Sequence, residues 1–204
     1  MTSPIKAIIF DYGGVILEWH PHNLYRRFFP GHPEATNQFL TEINFLEWNA
    51  QQDKGRPFAE AVEILSAEFP QHAHLINAYY EDWEETISGP ISGTVEIMKQ
   101  LKQAGYPLYG LSNWSAETFP YMRAKYEFFD LFDDMVISGA VGYVKPEPEI
   151  FHFMLEKIRR PANECLFIDD ALANIQQAQK MGFATVHFIS PEQLANVLHD
   201  FDLL

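Results

Sequence analysis

The feature that most constrains this chain is an alternation of short apolar runs with segments of helical spacing, in which the runs give out at polar residues. "AIIF" stops at Asp11, "YPLYGLSN" at Ser112 and Asn113, and "ECLFIDD" at Asp169 and Asp170. "DMVISG" and "ATVHF" are two further apolar runs. Between them "GTVEIMKQLKQAG", "ETFPYMRAKY", "PEIFHFMLEKI", "LANIQQAQKMG" and "PEQLANVLHDF" carry the helical pattern. Strands that alternate with helices predict an α/β fold with a parallel sheet covered on both faces. In such sheets the ligand crevice lies at the carboxyl ends of the strands. That rule gathers Asp11, Ser112, Asn113, Asp169 and Asp170 at one edge, although any one of them alone reads as a turn or cap residue.

The alternation is interrupted from about Pro21 to Gly89. Here "HNLYRRFF", "EATNQFLTEINFLEWNAQQ", "FAEAVEILSAEF" and "HAHLINAYYEDWEETI" are helical and rich in aromatics, punctuated by Gly31, Gly55 and Pro70. Four helices are expected. The division that follows is a core of residues 1–17 and 90–204 with an insert at 18–89. The recurring Phe28, Phe39, Phe45, Trp48, Phe58 and Phe69 read mainly as the apolar core of that insert.

Composition narrows the partners. Twenty-eight Asp and Glu stand against 14 Lys and Arg, which argues against nucleic-acid backbones and anionic membrane surfaces. A small anionic substrate stays compatible, because one bound metal ion reverses the local field. No apolar run approaches the roughly 18 residues of a membrane span. Asp11 interrupts the N-terminal apolar stretch, so no signal peptide is read there. The single cysteine, Cys165, excludes an internal disulfide and reads as a small core residue at a strand start. A cytoplasmic location is the expectation.

Carboxylates crowded at one point must share a proton or a cation. An oxygen-only donor set suits Mg²⁺, which takes one or two carboxylates and leaves room for a substrate phosphate. Lys145 in "GYVKPEPE" precedes Pro146, which keeps it out of a helix and in the loop before the next one. Gly13 and Gly14 allow a sharp turn and a close approach by a ligand.

"IIFDYGGVI", "LSN", "VKP" and "FIDDALANI" occur in the order and spacing of the four signature motifs of the haloacid dehalogenase superfamily. The chain resembles its phosphatase-type members that carry a helical cap after the first motif. The resemblance implies a Rossmann-like core with residues 18–89 as the cap. It implies a Mg²⁺-dependent phosphatase acting on a small phosphate ester, such as a sugar phosphate, as a monomer or homodimer. On these motifs Asp11 matches the nucleophile that forms an aspartyl-phosphate, Ser112 and Asn113 match the donors to the phosphoryl oxygens, and Lys145 matches the lysine that holds nucleophile and phosphoryl group. Asp11, the Gly13 carbonyl and Asp170 match the metal ligands, while Asp169 and Asn174 match residues that orient the metal's waters.

One position departs from the pattern. Most phosphatases of this family carry a second aspartate two residues after the nucleophile, as the general acid and base; here that residue is Gly13. General acid–base catalysis typically contributes about 10²–10⁴-fold. Three readings stay open: a phosphatase whose leaving group needs little protonation or whose acid comes from elsewhere, with Glu18, His20 and the cap as candidates; a catalytically weak phosphate- and metal-binding regulatory module; and a 2-haloacid dehalogenase. The adjacent Asp169 and Asp170 speak against the last, which has no metal site. Trp19, His20, Trp48, Asn49 and Lys54 lie in cap segments expected near the site.

Overall fold

The computed structural model describes residues 5–204; the first four residues of the expected core lie outside the described residues. The strands are β1 (Ala7–Phe10), β2 (Leu17–Trp19), β3 (Ile87–Pro90), β4 (Leu108–Ser112), β5 (Asp134–Ile137), β6 (Cys165–Asp169) and β7 (Ala184–His187). Five of them form one parallel sheet in the order β5-β4-β1-β6-β7. β1 is central, and all four of its residues are buried, as expected of a strand covered on both faces. The chain fills one side of β1 with β4 and β5, then crosses to the other with β6 and β7. The sheet therefore reverses direction at β1, where a crevice opens beyond the strand ends.

Two apolar layers cover the sheet, divided by the two-residue period of the strands. Ile8, Phe10 and Tyr12 join one layer, with Met98 and Leu101 from α6 (Ser92–Gln103) and Leu194 and Leu198 from α11 (Pro191–Asp200). Ala7 and Ile9 join the other, with Phe151 and Met154 from α9 (Pro148–Ile158) and Ile175 and Ala178 from α10 (Leu172–Lys180). Each large side chain so buried stabilises the fold by roughly 1.5–3 kcal/mol. Cys165 is buried at the start of β6, and burial pushes its thiol up to about 11. Two short helices, α7 (Phe119–Lys125) and α8 (Ser138–Val141), complete the sheet side.

Residues 21–81 form α1 (Pro21–Tyr25), α2 (Pro33–Glu42), α3 (Phe45–Asp53), α4 (Phe58–Glu68) and α5 (Ala73–Glu81) around an apolar cluster of their own. This corrects the expected helix count. The stretch "EATNQFLTEINFLEWNAQQ" is two helices, α2 and α3, broken at Asn44 with φ 47°. Asparagine enters that left-handed region more readily than other side-chain-bearing residues. β2 and β3 pair antiparallel where the chain leaves and rejoins the sheet side. Among the described residues no helix is long and apolar enough to cross a membrane.

Candidate active site

Asp11 is the first residue past β1, and its backbone N–H still bonds Ile168 in β6 at 2.9 Å. Tyr12 anchors the turn that follows: its ring stacks on Phe119 at 5.8 Å and meets Phe129 edge-on at 5.1 Å. The Tyr12 carbonyl accepts from the N–H groups of Ile16 and Leu17 at 2.8 and 2.9 Å, which folds residues 12–17 into a tight loop. Asp11 is left among the strand-end carboxylates. Its Oδ1 accepts from the Tyr12 N–H at 2.7 Å and lies 2.8 Å from Lys145 Nζ.

Lys145 reaches this point from the loop before α9. Its Nζ lies 2.6 Å from Asp169 Oδ2, and the residue is only 4% exposed. Asn113 fixes the loop, because its Oδ1 accepts the Lys145 N–H at 2.8 Å and its Nδ2 donates to the Lys145 carbonyl at 2.9 Å. Asp169 is saturated. Besides Lys145 it accepts from Asn174 Nδ2 at 3.0 Å on each oxygen and from the Ala171 N–H at 2.8 Å.

Carboxylate oxygens of Asp11, Asp169 and Asp170 lie within 4.8 Å of one another. Three carboxylates against one ammonium leave negative charge uncompensated. Burial raises Asp11 to about 7, with Asp169 and Asp170 pushing the same way and Lys145 opposing. Burial also raises Asp170, again helped by Asp169. Burial alone would lower Lys145, but Asp11 and Asp169 outweigh it and hold the ammonium above the ordinary lysine range. Gly14 makes room for Asp170. With φ 74°, it occupies the left-handed region, and a Cβ there would lie 2.2 Å from Asp170 Oδ2. A Cβ at Gly13 would meet nothing within 4 Å.

A cavity of about 250 Å³ adjoins this cluster and reaches it at Asp170. Its floor comes from Gly13, Gly14, Asn113, Ser115 and Asp170; its roof comes from Trp19, Asn49, Asp53, Phe58, Tyr79 and Trp83. The helices of residues 21–81 are seated on the sheet side at the end of α3. Lys54 Nζ pairs with Glu147 at 2.6 Å, the Ser138 hydroxyl donates to the Asp53 carbonyl, and the Phe58 N–H donates to Glu117 at 3.3 Å.

The structure thus brings Asp11, Lys145, Asp169, Asp170 and Asn174 together, with buried Ser112 ending β4 beside Asn113. Trp19 and Asn49 do line the cavity, whereas Trp48 is buried with its indole N–H on the Ala61 carbonyl and Lys54 is engaged with Glu147. Glu18 is an exposed residue of β2, and His20 is an exposed cap of α1 with Nδ1 accepting the His22 N–H; neither lines this cavity. Asp53 went unread in the sequence. Its one local signal is an acid in the last turn of a helix, where the macrodipole disfavours negative charge.

A haloacid dehalogenase-like hydrolase model matches residues 5–182. The chain belongs to the haloacid dehalogenase-like hydrolases. It is 39% identical over 188 residues to D-ribitol-5-phosphate phosphatase of Bacteroides thetaiotaomicron, covering 89% of this chain and 90% of that protein. It is 27% identical over 188 residues to the sesquiterpene phosphatase astK of Aspergillus oryzae, covering 92% and 91%. Other curated relatives are longer, and the matches span 36% and 29% of two of them. A crystal structure of a HAD family enzyme of Bacteroides thetaiotaomicron, in complex with magnesium and inorganic phosphate, is similar with a TM-score of 0.68. That pair is 25% identical, over 91% of this chain and 95% of the other.

Proposed function

We propose that this hydrolase is a phosphoric monoester hydrolase that cleaves a small phosphate ester through an aspartyl-phosphate on Asp11, beneath a cap formed by residues 18–89. The observation that carries the reading is the 2.8 Å pair of Asp11 and Lys145 at the reversal point of the sheet, set among two further carboxylates. Similarity to two phosphatases over nearly the whole chain supports it.

The donor chemistry fits Mg²⁺. Asp169 is saturated by Lys145, Asn174 and Ala171, which leaves Asp11, Asp170 and the Gly13 carbonyl as the oxygen ligands and gives Asp169 and Asn174 a supporting role. A bound Mg²⁺ would neutralise charge on the phosphoryl oxygens. The Tyr12 N–H and Lys145 Nζ both engage Asp11 Oδ1, which would leave Oδ2 to attack phosphorus. Lys145 holds that carboxylate in place and brings positive charge to the incoming phosphoryl group, which is most of what phosphoryl transfer requires. Ser112 and Asn113 would position the phosphoryl oxygens, with Asn113 also holding the Lys145 loop.

The cavity favours a compact leaving group, since its volume falls below the roughly 300–1,000 Å³ of drug-sized sites. Trp19 and Trp83 supply flat faces, and Asn49 and Ser115 supply hydrogen bonds, a lining suited to a sugar or sugar-alcohol phosphate. The test is phosphate release from a panel of such esters with Mg²⁺. Turnover by the wild type that disappears in Asp11→Asn is expected. Turnover that persists in the variant refutes the nucleophile, and a folded, Mg²⁺-binding wild type that cleaves no ester favours a binding module.

A further inference from the structure

The proton that residue 13 does not supply needs a source, and the roof of the cavity holds one carboxyl group. Asp53 closes α3 and lines the same cavity as Gly13. It is half-buried, and Asn49 Nδ2 donates to its Oδ2 at 3.2 Å. Asn49 is itself fixed, because the Tyr79 hydroxyl donates to its Oδ1 at 2.8 Å. From the sheet side the Ser138 hydroxyl donates to the Asp53 backbone carbonyl. Asn49 therefore orients the carboxylate while the sheet side holds the Asp53 backbone, and neither arrangement is needed to build a helix end.

We propose that Asp53, presented by the cap, is the general acid and base of the reaction, taking the role that a side chain at residue 13 would otherwise fill. The inference rests on the phosphatase reading. In the first half-reaction an Asp11 oxygen forms a bond to phosphorus and the phosphorus–ester oxygen bond breaks. Protonated Asp53 gives its proton to the leaving oxygen, releasing the alcohol and becoming a carboxylate. In the second half-reaction a water oxygen bonds to phosphorus and passes a proton to Asp53. The phosphorus–Asp11 bond breaks, returning the Asp11 carboxylate, inorganic phosphate and protonated Asp53.

The surroundings suit both halves. Burial raises the Asp53 carboxyl to about 7, while the Ser115 N–H and the charge of Lys145 act against it. Such a group is partly protonated near neutrality, as an acid and base in one cycle must be. The titratable groups around it are Lys145 in its loop, Tyr79 on α5 and Asp170 across the cavity. Tyr79 stays neutral, because burial and the charge of Asp53 push its phenol well above the ordinary range. The route also links chemistry to closure. Asp53 is adjacent to Lys54, whose pairing with Glu147 seats the cap, so the acid is in position when the cavity is covered.

The test compares Asp53→Asn with wild type on an alkyl or sugar phosphate and on p-nitrophenyl phosphate, whose leaving group needs little protonation. For the alkyl ester, kcat/KM is expected to fall about 10²-fold or more, and the alkaline limb of its pH profile to disappear. For p-nitrophenyl phosphate, kcat/KM should change less than about tenfold. A burst of one equivalent of nitrophenolate should precede slow turnover, since removal of the phosphoryl group from Asp11 has lost its base. Gly13→Asp added to Asp53→Asn should restore alkyl ester hydrolysis. Asp53→Ser is the second variant, with circular dichroism and inorganic phosphate binding establishing that each is folded. Alkyl ester hydrolysis at the wild-type rate in either folded variant, or equal losses on both esters with no burst, overturns the role of Asp53 and leaves the phosphatase reading standing. A wild type inactive on every ester overturns that reading first, and the proposal with it.

Discussion

Gly14 offers the sharpest test of how the strand-end carboxylates are assembled. In Gly14→Ala the added methyl would lie 2.2 Å from Asp170 Oδ2 and 2.6 Å from its Cγ. Separation to ordinary contact needs a shift of about 1 Å, and the Asp170 side chain can rotate away far more easily than the backbone can move. The substitution therefore divides into two effects. Alanine at φ 74° carries the left-handed penalty of about 1–2 kcal/mol, or roughly 2–8 °C in Tm for a chain of this size. Displacement of one carboxylate from the cluster by about 1 Å is expected to lower kcat/KM about 10²-fold and to raise the Mg²⁺ concentration needed for half-maximal rate. Gly105→Ala is the control. Gly105 also has a left-handed φ, 90°, but a Cβ there meets nothing within 4 Å, and it lies just past the C-terminal end of α6. It should show the same loss in Tm with the wild-type Mg²⁺ dependence. The assay is phosphate release titrated with Mg²⁺, beside thermal melts of the three proteins. A Gly14→Ala enzyme with the wild-type rate and Mg²⁺ dependence would refute the idea that Gly14 exists to admit Asp170.

Two further predictions concern buried charge. Lys145→Met leaves Asp11 and Asp169 without their shared cation, and removal of one partner of a buried ion pair costs about 3–5 kcal/mol. Urea unfolding at pH 8 should show that loss, partly relieved at pH 5 as Asp11, whose carboxyl burial raises to about 7, takes up a proton; unchanged stability at pH 8 refutes it. Asp53 makes stability pH-dependent in a definite direction, because burial raises it from 3.8 in the unfolded reference to about 7. Between those values the folded chain holds the proton more tightly, so its contribution to stability falls as pH rises from about 4 to about 7. Asp53→Asn abolishes this contribution, so the Tm of the variant minus that of wild type should climb across the same window and level off above it; a flat difference from pH 4 to 8 contradicts the burial of that group.

The local order of this chain was legible because its signals are local. β1 announces itself as an apolar run that ends on a carboxylate, and β4 and β6 likewise run out at polar residues, Ser112 and Asp169. Their parallel pairing follows from the helices between them, and the carboxyl-edge rule then gathers Asp11, Ser112, Asn113, Asp169 and Asp170, while Lys145 enters through the family motif it matches. The break between α2 and α3 was not legible, since a left-handed Asn44 leaves the apolar spacing on either side almost unchanged. Glu18 and His20 were natural candidates for the missing acid because they follow Asp11 closely in the chain. Pairing of β2 with β3 instead leaves Glu18 exposed, and capping of α1 occupies His20.

What the sequence by itself determined is the alternating core, the carboxylate edge and the absence of an acid at residue 13. What only the tertiary structure decided is which distant side chains meet there. Asn113 is turned onto the Lys145 backbone 32 residues away, and the Asp53 backbone is held by Ser138, 85 residues away. Strand and helix patterns arise from neighbours one to four residues apart and survive in the bare sequence. The seating of one layer on another depends on contacts between segments far apart in the chain, which no local pattern records, and that seating is what brings Asp53 into the cavity beside Asp170.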